Sequence, residues 1–476
     1  MTAGDTDVFV EGEWMRATSG TSLTVVNPSS GEQITSIDIA GQREVDLAVR
    51  AARRAFDSSA GWAAWPPSER ADVLRRFADE IESRADQIAT TVTSQNGMPI
   101  GLARTLESAF PALLLRYYAG LVEQESVDRR DGMLGGQLVV RRVPTGVVAA
   151  IAPWNYPQTL SAMKYAPALA AGCTVVLKAP VESPLDARLV AHAAIAAGLP
   201  AGVLNIVAGG VDAGKALVAH PGVDKVAFTG STKAGREIAR TCGEVLRPFT
   251  LELGGNSAGV ILDDADLAGC ADALFGAIFI NNGQTCFRSS RILAPESKYA
   301  EVVELLAELA RSAVIGDPLD TGTAIGPLIN RPALQRVAHI VERASQSGRI
   351  VTGGRVLDRP GYFLEPTVIA DIDPSSPVWQ DEVFGPVVSV HPYSSEDHAI
   401  ALANDSVYGL GGTVWSADHD HAVAMASRIH TGTVGINGYV PDPAGPFGGM
   451  KNSGIGREFA AEGLANFRQS QTIYLG

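Results

Sequence analysis

From residue 146 onward the sequence alternates between short β-branched runs and helical runs. "GVVAAIA", "TVVLK", "VLNIV", "KVAFT" and "FTLEL" read as strands, and "LSAMKYAPALAAG", "PLDARLVAHAAIAAG" and "STKAGREIARTCG" read as helices. Short apolar strands alternating with amphipathic helices predict an α/β fold, with a parallel sheet wound on both faces. Ligands of such sheets bind beyond the carboxyl ends of the strands. Residues able to do chemistry fall there: Asn155 follows one strand, Lys178 ends another, Gly230 follows a third and Glu252 lies within the last.

The flanking segments read differently. The stretch to about residue 40 suggests short strands and turns, and residues 43–125 suggest helices. Residues 126–144 place turn residues between two extended runs, which predicts a hairpin. A second α/β region follows over about 256–445, and the tail "FRQSQTIYLG" reads as one more strand. A chain of 476 residues is too long for one compact domain. Its net charge of -14 disfavours nucleic acid and anionic membranes as partners. No apolar run is long enough for a membrane span, and the N-terminus lacks a secretory pattern. Cys173, Cys242, Cys270 and Cys286 are far apart without C-x-x-C spacing, which predicts a reducing cytoplasmic setting and no structural zinc.

Taken singly, the candidate motifs are ambiguous. "AFTGSTKAG" ends a strand, turns at Gly230 and Ser231 and opens a helix whose free amides suit a phosphate, but it reads equally as a tight strand-helix turn. Glu252 in "LELGGNS" is an acid in an apolar strand. It is either a salt-bridge partner or a group whose burial suits it to proton transfer. Cys286 sits in "NNGQTCFRSS", a thin, polar setting unlike that of a core cysteine, and is either inert or a reactive thiol. Asn155 in "PWNYP" can donate to an oxyanion or stabilise an Asx turn. Glu382 in "DEVFGPV" alone reads as a loop residue.

Together, "PWNYP", "VVLK", "FTGST", "LELGGNS", "NNGQTC", "EVFGPV" and "PFGGMKNSGIGRE" occur in the order and spacing of the NAD(P)-dependent aldehyde dehydrogenase superfamily, which the chain resembles over nearly its whole length. The resemblance implies that Cys286 is the nucleophile, Glu252 the general base and Asn155, with the Cys286 amide, the oxyanion donor. It implies that Lys178 contacts the adenosine ribose and that Trp154, Gly230 and Ser231 lie near the cofactor pyrophosphate. Glu382 would grip the nicotinamide ribose, with Phe384 beside it in the cofactor site. Glu458 matches an acid that relays protons in some members. Tyr156, Leu160, Met163, Thr285, Phe287, Val440, Pro441 and Phe447 match positions along the substrate tunnel, and most are apolar. The implied reaction is hydrolytic oxidation of a medium-sized apolar aldehyde, aliphatic, aromatic or terpenoid, without a metal. The glycine and small polar residues around Cys286 would then let cofactor and carbonyl approach closely.

One departure concerns the cofactor. Many NAD-preferring members carry a glutamate three residues after the ribose lysine; here that position is Val181, and Glu182 follows it. NAD is favoured because no extra cation stands beside Lys178, and NADP is not excluded. The implied architecture is a Rossmann-like cofactor domain (1–125 and 145–251), a catalytic domain (252–450) and an oligomerisation segment (126–144 and 451–476) that completes a homodimer or homotetramer. Two rivals are a CoA-acylating enzyme, against which Glu252 argues, and a non-catalytic NAD-binding relative, against which both Cys286 and Glu252 argue.

Overall fold

The computed structural model describes residues 8–475; the first seven residues of the N-terminus read above, and Gly476 of the tail, lie outside them. The alternating segment forms five parallel strands: β1 (Val147–Ile151), β2 (Thr174–Ala179), β3 (Leu204–Ala208), β4 (Lys225–Thr229) and β5 (Phe249–Glu252). Their order across the sheet is β5-β4-β1-β2-β3. Four helices cross between them: α1 (Pro157–Ala171), α2 (Asp186–Ala196), α3 (Val211–Ala219) and α4 (Thr232–Glu244). Nearly every residue of the five strands is buried, which is why they read as continuous apolar runs rather than alternating ones. The strand order reverses between β1 and β4, so the crevice opens at their carboxyl ends, where Asn155 and Gly230 lie.

Antiparallel strands extend the sheet on both sides, with Glu13–Met15 outermost beside Val8–Val10. Val8–Val10 pairs with β3, and the two-residue strand Gly454–Ile455 pairs with β5, setting Gly454 opposite Glu252. Within the helical region 43–125 lie the helices Pro67–Glu82 and Ala85–Asn96.

A second sheet of seven strands begins four residues after β5. Its central strands Ser257–Ile261 and Ser289–Pro295 pair in parallel, with Ser257 opposite Ser289. The hairpin is present as Asp128–Asp131 and Gln137–Pro144, and the tail strand Arg468–Leu475 pairs with its second arm. Among the described residues no helix is long and apolar enough to cross a membrane.

Gly454 shows how tightly the edge strand is fitted. Its φ is +152°, and a Cβ there would lie 2.2 Å from the Leu251 carbonyl oxygen. Gly454→Ala is therefore expected to cost about 2–4 kcal/mol through strain and clash. Gly276→Ala, in a helix with open space around it, should be neutral or slightly stabilising. Urea unfolding midpoints of the two variants check this; equal midpoints would contradict it.

Candidate active site

Cys286 sits in a loop between the helix Ala271–Phe279 and the strand Ser289–Pro295. Its polar approach has a backbone cause. Asn281, Asn282 and Gly283 adopt φ values of +50°, +58° and +73°, a left-handed run that asparagine and glycine tolerate best. Gly283 also abuts the chain itself, since a Cβ there would lie 2.0 Å from the Gly385 carbonyl oxygen. Asn282 locks the loop by donating to the Gly97 and Pro327 carbonyls (2.9 and 3.0 Å) and accepting from the Gly326 amide (2.6 Å).

Asn155 is brought to this loop by the turn between β1 and α1. Its Nδ2 donates to the Gln284 carbonyl at 3.0 Å, which leaves its second N–H for another acceptor. Its own carbonyl accepts from Asn281 at 2.9 Å. Beside it, the Tyr156 hydroxyl and Thr285 Oγ1 share a 2.6 Å hydrogen bond.

Glu252, the last residue of β5, enters from the other side. It is buried, and Oε2 has no hydrogen-bond partner among the described residues. A Cβ on Gly448 would lie 2.7 Å from its Oε1, so glycine there makes room for the carboxylate. Glu458 is buried nearby, held by a two-way backbone bridge to Phe447 and by Lys164, whose Nζ lies 2.9 Å from Glu458 Oε1. Lys164 is completely buried and also donates to Thr229 Oγ1 (2.6 Å) and the Leu160 carbonyl (3.2 Å).

Burial raises Glu252 well above the usual carboxylate range, and the charge of Glu458 adds to it, against Lys164 and Arg457. Burial also pushes the Cys286 thiol far up, with Glu382 and Glu252 adding, although the amides of Cys286 and Phe287 favour the thiolate. The cysteine residue still has partial surface exposure, so the cleft admits a small reagent to a thiol that is protonated at rest.

The remaining site residues fall on two sides of this centre. On one side, Lys178 at the end of β2 donates to the Gly209 and Ala179 carbonyls (2.8 and 3.2 Å), and burial lowers it to about 8. Ser231 caps α4 by accepting from the Ala234 amide at 3.3 Å, and the Gly230 amide donates to the Glu252 carbonyl at 3.0 Å. Trp154 and Phe384 meet edge-on at 5.5 Å. Glu382 accepts from the Gly255 amide at 3.2 Å, and burial raises it to about 7 against the charges of Arg288 and Arg336.

On the other side lies a cavity of about 640 Å³. Tyr439, Val440, Pro441, Phe447 and Phe459 are among its lining residues, with Val440 on the rim at 87% exposure. Phe287 packs edge-on against Tyr439 (4.7 Å) and Phe447 (6.1 Å). Tyr156, Leu160, Met163 and Thr285 are buried and lie outside this lining. Sequence reasoning missed Tyr439, Phe459 and Lys164. Phe459 turns into the cavity wall at φ +63°, a conformation no local pattern announces.

With this geometry in view, the comparisons are decisive. The aldehyde dehydrogenase family profile matches residues 14–473.

The chain belongs to the aldehyde dehydrogenase family.

It is 48% identical to the geranial dehydrogenase of Castellaniella defragrans, covering 100% of both chains. It is 38% identical to the phenylacetaldehyde dehydrogenase of Pseudomonas fluorescens, over 98% of this chain and 95% of that one. Among solved structures, the Mycobacterium tuberculosis aldehyde dehydrogenase complexed with NAD+ matches with a TM-score of 0.96 and 40% identity, covering 100% of this chain and 99% of that one. This family member is thus an oxidoreductase with the fold expected from its sequence.

The raised thiol has a measurable consequence. With no substrate or cofactor present, iodoacetamide is expected to alkylate Cys286 slowly at pH 7, and the rate should climb with pH through 9 without levelling. The thiolate fraction grows as pH approaches a raised pKa. Labelling followed by mass spectrometry, with Cys286→Ser as control, reads this. A fast rate already level at pH 7 would show that the thiol ionises easily at rest.

Proposed function

We propose that the chain oxidises a medium-sized apolar aldehyde to its carboxylic acid with NAD(P)+ and water. The observation that carries this reading is the meeting of Cys286, Asn155 and the buried Glu252 beside a cavity with aromatic walls.

The residues present fit the cofactor. Lys178 is a buried ammonium at a strand end with two of its three protons committed among the described residues. The amides at the N-terminus of α4 suit a pyrophosphate. Glu382 lies over Gly254, where a Cβ would come 2.6 Å from its Oε2, so glycine leaves room beside a carboxylate that would hold a ribose of the cofactor. Bound NAD(P)+ supplies a hydride acceptor.

The chain's own residues do the rest. Cys286 Sγ adds to the carbonyl carbon while its proton passes to Glu252, the adjacent buried base. The free N–H of Asn155 and the Cys286 amide take the charge developing on oxygen. Loss of hydride from the tetrahedral carbon leaves a thioester on Cys286. Glu252 releases that proton to solvent, then accepts one from water as the water attacks the thioester; this proton passes to the departing sulfur, so the acid leaves as the thiol reforms.

The cavity volume and its rings favour an apolar substrate, in keeping with the relatives named for geranial and phenylacetaldehyde. The hairpin tip, with Met133 and Leu134 fully exposed beside the tail strand, supports a homo-oligomer.

The direct test supplies NAD+ or NADP+ with a panel running from acetaldehyde to benzaldehyde and geranial, following reduced cofactor by absorbance. Turnover is expected with the larger apolar aldehydes and should fall at least a thousandfold in Cys286→Ser. Reduction only when CoA is added would instead mean that Glu252 does not activate water. A second test concerns cofactor choice. Glu182 raises Lys178 against its burial, so a carboxylate lies near that ammonium although Val181 holds the usual position. Glu182→Gln should raise the ratio of NADP to NAD kcat/KM roughly tenfold, the equivalent of about 1.4 kcal/mol. An unchanged ratio would remove Glu182 from cofactor selection.

A further inference from the structure

Asn155 lies in a turn whose shape is held from outside. Asn96 donates to the Trp154 and Asn155 carbonyls, and Asn281 also donates to the Asn155 carbonyl. The helix that follows, α1, begins without a side-chain cap of its own, since the Tyr156 side chain accepts no amide of its first turn. An orphan amide at a buried helix end needs an acceptor. Glu107 provides one: its Oε2 accepts from the Gln158 amide at 2.7 Å.

Glu107 comes from an unusual piece of backbone. Residues Ala103–Ala109 form a π-helical stretch within the continuous helical run Ile100–Glu123, and the Phe110 amide bonds five residues back to the Thr105 carbonyl. Pro111 follows immediately and has no amide to donate. The Leu106 carbonyl, five residues before it, instead accepts from the Thr159 hydroxyl. Two successive residues of the π stretch, Leu106 and Glu107, thereby grip Thr159 and Gln158, four and three residues after Asn155. The Gln158 side chain is tied separately to Asp186. Glu107 is completely buried. It belongs to no part of the chemistry described above, and π stretches inside helices recur at functional sites.

We infer that Glu107 is a positioning residue that holds the Asn155 donor in place by capping the first turn of α1. The inference rests on the reading of Asn155 as the oxyanion donor. The role asks only for an acceptor of the right length, not for a charge. Burial pushes Glu107 up to about 8, so near neutral pH it is largely the neutral acid, for which glutamine is an isostere.

The test compares Glu107→Asp, Glu107→Gln, Asn155→Ala and the double variant Glu107→Asp/Asn155→Ala. The readouts are the single-turnover rate of reduced cofactor formation and the KM for cofactor. Shortening the reach by one methylene is expected to slow the burst roughly tenfold without changing that KM, because misplaced groups lose rate steeply. Glu107→Gln should stay within about twofold of the parent, and the loss from Glu107→Asp should vanish in the Asn155→Ala background. Independent, multiplying losses in the double variant would overturn positioning through Asn155, since a merely structural cap would act whatever residue stands there. A parental burst rate in Glu107→Asp would overturn it as well, as would a loss in Glu107→Gln equal to that in Glu107→Asp. A parental rate in Asn155→Ala would remove the donor reading itself, and the inference with it.

Discussion

The arrangement of this site depends on one register. The strands Ser257–Ile261 and Ser289–Pro295 pair in parallel with Ser257 opposite Ser289. The chain reaches the first of them from Glu252 through residues 253–256 only, and the second from Cys286 through residues 287 and 288. With so little chain on either side, the pairing itself brings Glu252 and Cys286 to the same end of that sheet. Contact is close enough that a Cβ on Gly255 would lie 2.2 Å from the Cys286 carbonyl oxygen. A slip of one residue would reverse which face each side chain takes and shift Cys286 along the strand by about 3.3 Å. Gly255 of "LELGGNS" is therefore required by packing.

Electrostatics build on that frame. The cleft concentrates carboxylates: Glu252, Glu382 and Glu458 all lie in or beside it, and Lys164 is the buried cation in direct contact with one of them. Lys164 Nζ lies 2.9 Å from Glu458 Oε1, and Glu458 in turn adds to what raises Glu252. A buried ion pair of this kind contributes little net stability. Its effect here is on a neighbour, Glu252, which Glu458 raises and Lys164 lowers.

Much of this was legible in the sequence, and the limits have physical reasons. The five parallel strands were readable because burial on both faces leaves uninterrupted apolar runs. Cys286, Glu252 and Asn155 were ambiguous one by one and were picked out by the order and spacing of the motifs that hold them. Lys164 was not legible: in "LSAMKYAPALAAG" a single lysine on a helical pattern reads as the exposed face, yet the helix is buried all round. Glu107 was hidden for a related reason, since a π register displaces side chains from the faces that a 3.6-residue period assigns. Tyr439 and Phe459 come from irregular chain, where ring direction follows from long-range packing and a positive φ rather than from local spacing. The strand Gly454–Ile455 is two residues long, too short to carry any period.

For the proposed reaction, the high proton affinities of Cys286 and Glu252 look at first like an obstacle to making a thiolate. The obstacle depends on where the proton goes. Giving the thiol proton to bulk water creates a new buried charge, and the burial that raises Cys286 opposes that step in full. Giving it to an ionised Glu252 creates no new charge: the carboxylate loses its charge as the sulfur gains one, within the same buried cleft. The desolvation cost then largely cancels, because both groups are raised by the same cause. What remains is the difference between the two affinities, which the backbone amides of Cys286 and Phe287 narrow by favouring the thiolate. A site built this way keeps its sulfur protonated at rest, and so less open to oxidation.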